Sequence, residues 1–119
     1  MIKGIGCDIV SIQRIKGIIE KFGDKFLKRV FVDEEIKLAG ELDHNYYSYF
    51  AKRFAAKEAL AKALGCGIGE VFAFRDCAIL NMSSGSPYVV LNRGVAPYKI
   101  HISLADEREY AIAYVVLEE

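Results

Sequence analysis

The chain has 119 residues, room for one compact domain over residues 1–119 and too little for two ordinary ones. Apolar residues make up 53% and charged residues 27%, which excludes a disordered chain, a collagen-like repeat and a low-complexity tail. With 16 basic and 16 acidic residues the net charge is zero, a poor match for a nucleic-acid-binding module.

Residues 2–10 read as a strand carrying Ile2, Ile5, Ile9 and Val10. Ser11 is a plausible cap for a helix in which Ile12, Ile15, Ile18, Ile19 and Phe22 recur at helical spacing until Gly23. Asp24 opens a second short helix through Leu27 and Val30, and Asp33 a third, acidic one that Gly40 weakens. The strongest element runs from about Asn45 to Leu64 and stops at Gly65; it is rich in alanine (Ala51, Ala55, Ala56, Ala59, Ala61, Ala63). Beyond it the pattern changes to strands over Val71–Leu80, Tyr88–Leu91, Lys99–Leu104 and Tyr110–Leu117. Turns fall at 83–87 and 92–94, while Val95–Pro97 fits either state. A strand, then helices, then strands on short turns predicts an α+β fold with an antiparallel sheet packed against helices.

Glycine appears early in the N-terminal segment, where a signal peptide has its apolar stretch. The longest apolar run, Tyr110–Leu117, has eight residues against the ~20 of a membrane span. Both point to a soluble, cytoplasmic protein without a membrane partner. Cys7, Cys66 and Cys77 lack zinc-site pairing and disulfide density, and are expected to be reduced, mostly buried thiols.

The zero net charge conceals segregation. Arg14, Lys16, Lys21, Lys25, Lys28 and Arg29 form a basic block against Glu20 and Asp24. An acidic block follows from Asp33 to Asp43, then four cations surround Glu58 between Lys52 and Lys62. Such blocks are either solvated faces that neutralise one another or fields that steer an oppositely charged partner.

Two acids invite chemistry. Asp8 sits in Gly4-Ile5-Gly6-Cys7-Asp8-Ile9-Val10, where a carboxylate must be paired, metal-bound or at the rim of the sheet. Phe54, Glu58 and Lys62 recur at four-residue intervals on one helix face, with Arg53 and Lys57 alongside. A surface Glu58–Lys62 pair would contribute only ~0.3–0.5 kcal/mol. The excess of cations suits a site taking phosphate oxygens on lysine and arginine and a divalent ion on Asp8 and Glu58. Magnesium is commonly held by one or two carboxylates, with phosphates and water completing its octahedron. The glycines at 65–69 follow the helix, at its negative end, and read as a helix stop rather than a phosphate loop. His101 and Ser103 alternate on one strand, separated by roughly 6.6 Å of rise, too far for a nucleophile and its base.

Three segments together resemble the holo-[acyl-carrier-protein] synthases, the small bacterial 4′-phosphopantetheinyl transferases. They are Gly6-Cys7-Asp8-Ile9-Val10 with Arg14-Ile15; the run Arg53-Phe54-Ala55-Ala56-Lys57-Glu58-Ala59-Leu60-Ala61-Lys62; and Gly85-Ser86-Pro87 with His101-Ile102-Ser103-Leu104-Ala105-Asp106. The resemblance implies transfer of the 4′-phosphopantetheine arm of coenzyme A to a serine of apo acyl carrier protein, releasing 3′,5′-ADP, in fatty acid biosynthesis. It also implies a magnesium requirement and a homotrimer with sites at subunit interfaces. By position, Asp8 and Glu58 would bind the metal, and Lys62 would contact the phosphates; all three are the implied catalytic residues. Arg53 and Lys57 would assist phosphate binding, and Gly85, Pro87 and His101 would border the coenzyme A cleft. Arg14, Lys21, Lys25 and Lys28 would dock the acidic carrier protein. Some relatives have histidine at the position of Asp106, so an acid–base role there is not expected. A metal-bound water or a carboxylate, Glu58 first among them, is left as the general base. The competing readings are a non-enzymatic adaptor for an acidic protein and another magnesium-dependent nucleotide enzyme.

Overall fold

The computed structural model of the chain describes residues 1–42, 44–92 and 98–119. Its elements are β1 (Ile2–Ser11), α1 (Ile12–Phe22), α2 (Asp24–Val30), α3 (Asp33–Ala39), α4 (Tyr46–Leu64), β2 (Cys77–Asn81), β3 (Pro87–Leu91), β4 (Lys99–Asp106) and β5 (Tyr110–Glu118). The α+β class and antiparallel pairing hold, but the strands divide into a three-stranded sheet, β1-β5-β4, and a separate hairpin, β2-β3.

Ser11 ends β1 and starts α1: its Oγ accepts a hydrogen bond from the Arg14 amide at 3.2 Å. Ile15 and Ile19 then turn inward as the helical spacing predicts. Gly23, at φ 56°, breaks the helix, so the basic residues expected along one segment divide between α1 (Arg14, Lys21) and α2 (Lys25, Lys28). The strand expected over Val71–Leu80 begins only at Cys77. Before it, the Asp76 carboxylate accepts the Ala73 amide at 2.9 Å and closes a 3₁₀ turn over Phe74–Asp76. That local bond competes with strand pairing and wins. The turn expected at Arg93-Gly94 and the stretch Val95–Pro97 lie outside the described residues.

What positions the site is the contact between α4 and β1. A Cβ on Gly6 would lie 1.8 Å from the Ala59 carbonyl oxygen, and one on Gly4 would lie 2.1 Å from that of Ala63. Only glycine lets the helix lie on the strand backbone. Ala51, Ala55, Ala59 and Ala63 are buried, as are Ala111, Ala113 and Val115 of β5. Elsewhere the core is aromatic, with Phe31 and Phe50 fully buried and their ring centroids 4.7 Å apart.

The outward face of the three-stranded sheet is apolar yet uncovered. Ile5, Ile9, Tyr110, Ile112 and Tyr114 are all exposed. A patch of this kind marks an interaction surface. Cys77 is buried, and burial pushes its thiol up to about 12. Cys7 and Cys66 are exposed, so the expectation of mostly buried thiols holds for Cys77 alone. No helix among the described residues is long and apolar enough to cross a membrane.

Candidate active site

Asp8 lies between Gly6 and Val10 on the inward-facing side of β1, the side that α4 covers. Lys62 reaches back from α4 and places its Nζ 2.9 Å from Asp8 Oδ1 and 3.0 Å from the Cys7 carbonyl oxygen. Glu58 lies one turn earlier on the same helix face. Burial raises the Glu58 carboxyl above the ordinary glutamate value, the negative charge of Asp8 raises it further, and Lys62 and Arg14 oppose both. The hydrogen bond to Asp8 raises Lys62 in turn. Two carboxylates, a lysine and an arginine from β1, α4 and α1 therefore act on one another, although Asp8 and Glu58 are distant in sequence.

The donor set suits a hard divalent cation. Among the described residues no group of three or more His, Cys, Asp or Glu side chains could hold a metal. A site resting on the two carboxylates leaves most of an octahedron to oxygens brought by a substrate or water, the pattern of magnesium rather than of structural zinc.

Arg53 and Lys57 are not alongside this group. At roughly 100° per residue they project from a different side of α4. Lys57 is fully buried. Its Nζ donates to Glu35 Oε1 at 2.6 Å and to the carbonyls of Val30 at 2.9 Å, Phe74 at 3.0 Å and Cys77 at 3.0 Å. An ammonium has three protons, and these four acceptors share all of them. The expectation that Lys57 assists phosphate binding is therefore corrected: it joins α2, α3, α4 and β2. Glu35, which composition alone gave no reason to single out, completes the knot by accepting the amides of Val32 and Ile79, each at 2.9 Å. The available signal was its place one turn from buried Ala39 on α3.

Arg53 is 3% exposed and stacks over the Tyr49 ring, 3.7 Å from its centroid. Its Nη2 donates to Asn81 Oδ1, and Asn81 Nδ2 donates to the Gly85 carbonyl at 2.8 Å. Asn81 thus ties Arg53 to the β2–β3 turn, where Gly85 (φ 94°) is exposed and Pro87 half-buried. His101 lies apart on the outward face of β4, its Nε2 3.0 Å from Glu118 Oε1. It shares a cavity of about 350 Å³ with Ser103, Tyr114 and Val116. Asp106 pairs with Lys52 at 3.5 Å. Arg14, Lys21, Lys25 and Lys28 are all exposed, and Lys25 and Arg29 flank a groove lined by Ile18, Phe22 and Phe26.

The chain matches the family model of the 4′-phosphopantetheinyl transferase superfamily over residues 4–115. It is 46% identical to a holo-[acyl-carrier-protein] synthase of Ehrlichia chaffeensis, across 98% of this chain and 97% of that one. Its fold superposes with a TM-score of 0.89 on the Bacillus anthracis holo-(acyl-carrier-protein) synthase solved in complex with CoA (3′,5′-ADP), at 37% identity over 99% of this chain and 97% of that one. The Helicobacter pylori holo-[acyl-carrier-protein] synthase, solved with coenzyme A, gives 0.83 and 34% over 96% and 99%. The fold is that of the 4′-phosphopantetheinyl transferase superfamily. Within that class the chain belongs to the holo-[acyl-carrier-protein] synthase family.

Proposed function

We propose that this enzyme transfers 4′-phosphopantetheine from coenzyme A to a serine of apo acyl carrier protein, with magnesium, as one transferase domain in the cytoplasm serving fatty acid biosynthesis. The convergence of Asp8, Glu58 and Lys62 is the observation that carries the reading. The serine oxygen attacks the β-phosphorus of the coenzyme A pyrophosphate; the new O–P bond forms as the bond to 3′,5′-ADP breaks, and the serine proton leaves. Such a transfer needs in-line positioning and neutralisation of charge more than covalent help. Asp8 and Glu58 would hold the metal, and magnesium there would supply polarisation of the phosphate oxygens. Lys62 neutralises the charge that builds on the departing phosphate. Glu58 or a water at the site would receive the serine proton. Gly85, Pro87 and His101 border the coenzyme A cleft, and Arg53 reaches it by orienting the 85–87 turn through Asn81. Incubation with coenzyme A, magnesium and apo carrier protein is expected to add one phosphopantetheine arm to the carrier in intact-mass spectra. Nucleotide hydrolysis without carrier modification would replace this reading.

The bare apolar sheet face supports a homotrimer, checked by the sedimentation mass; a monomer at micromolar concentration would rule it out. His101 faces outward on that same sheet, which supports a coenzyme A cleft completed by a neighbouring copy. The exposed cations of α1 and α2 beside Phe22 support docking of the acidic carrier protein. Replacing Lys21 and Lys25 together by alanine is expected to raise the Michaelis constant for the carrier severalfold at low salt with little change in kcat. The difference should shrink at high salt, since exposed charges are screened over about 8 Å at physiological ionic strength. An unchanged constant at low salt would remove these lysines from the docking face.

A further inference from the structure

The lysine read as the phosphate contact is engaged elsewhere in the free chain. Lys62 Nζ sits 2.9 Å from Asp8 Oδ1, with the Cys7 carbonyl at 3.0 Å as a second acceptor. Its side chain is 52% exposed and that of Asp8 18%, so the lysine lies over the carboxylate from the solvent side. A cation at Asp8 must compete with an ammonium already in place. Arg14, by contrast, makes no hydrogen bond or ion pair to Asp8 or Glu58 among the described residues, although its charge reaches Glu58.

We propose that Lys62 is a resident counter-ion that holds Asp8 in the free enzyme, weakens metal binding there, and is released when a pyrophosphate offers it other oxygens. This rests on the assignment of Asp8 and Glu58 as metal ligands. Its consequence is order: the cation enters well only with, or after, the pyrophosphate-bearing substrate. Because coupling between two ligands is reciprocal, metal and pyrophosphate each tighten the other's binding. Lys62 thereby has two partners in turn, a carboxylate before substrate arrives and a phosphate afterwards.

The test is Mn²⁺ binding to the full chain without coenzyme A, read by electron paramagnetic resonance of free Mn²⁺. Lys62→Met keeps the length of the stem and removes the charge. It is expected to tighten Mn²⁺ at least about fivefold over the unmodified chain, within the usual span of coupling effects. Arg14→Met, which removes a charge nearby but no contact with Asp8, is expected to tighten it less than twofold. Circular dichroism melting checks that each variant is folded. If Asp8→Asn abolishes Mn²⁺ binding but Lys62→Met leaves it unchanged, the counter-ion role is wrong and the metal site stands. Equal tightening by both charge removals would replace the contact with a general field effect. If Asp8→Asn and Glu58→Gln leave Mn²⁺ binding untouched, the metal assignment fails and the counter-ion role falls with it.

Discussion

Replacing Glu58 by Gln, or Asp8 by Asn, is expected to lower carrier modification by roughly a thousandfold, which corresponds to about 4 kcal/mol of transition-state stabilisation. Both substitutions keep the shape and remove a negative charge, so the loss isolates the electrostatic role. Asp8 is partly exposed and neither residue has a place in the apolar core, so melting temperature should change little. Intact-mass kinetics with coenzyme A and apo carrier, alongside thermal melts, separate the two effects. The pH dependence has a definite sign. Burial, then the charge of Asp8, raises Glu58 above the ordinary glutamate value, so in the free enzyme its carboxylate is lost on acidification earlier than that of a solvated glutamate. In the metal-free chain the Glu58 carboxyl should therefore titrate above the ordinary glutamate range, read by carboxyl-labelled nuclear magnetic resonance, and that resonance should be missing in Glu58→Gln. Activity above a few per cent in both variants would dismiss the two-carboxylate site.

The second large effect is on folding rather than chemistry. Lys57→Met should cost about 3–5 kcal/mol, because it leaves the Glu35 carboxylate inside the protein without its cation. Three backbone carbonyls, those of Val30, Phe74 and Cys77, lose a donor at the same time. Chemical denaturation should show a lower midpoint with an unchanged slope. The double variant Lys57→Met/Glu35→Leu should recover part of the loss, since an apolar pair avoids the stranded charge. Residual folded protein should keep its Michaelis constant for coenzyme A. A normal midpoint with a large rise in that constant would return Lys57 to the phosphates.

The architecture was legible where the signal is local. Ser11 before the isoleucine periodicity, Gly23 between two short helices and Gly65 after the alanine-rich helix each mark a boundary through their own backbone chemistry, and the elements begin and end there. The β2 start was misread because Val71, Phe72 and Phe74 carry strand propensity, while the bond that overrides them is made by one side chain, Asp76. The grouping of Asp8 with Glu58 was suggested by the surplus of cations around Glu58 and carried further only by resemblance, since nothing local in β1 announces which helix will cover it. Gly4 and Gly6 carried that information in a form visible only once the Ala59 and Ala63 carbonyls are seen beneath them. Lys57 and Glu58 show the limit most sharply. Adjacent residues in one motif point about 100° apart, and only packing decides that one is entombed and the other left within reach of the Asp8 and Lys62 charges.

The strand bearing Asp8 is hydrogen-bonded along its length to β5, with Asp8 opposite Ala113. Asp8 is therefore held in place by β5, far along the chain, while α4, which carries Glu58 and Lys62, lies between the two strands in sequence. A folding chain can coil α4 from local contacts alone, but the ledge on which the helix rests is complete only once β1 and β5 have paired across that long separation. The meeting of Asp8 with Glu58 and Lys62 thus waits on a long-range pairing and comes late in folding.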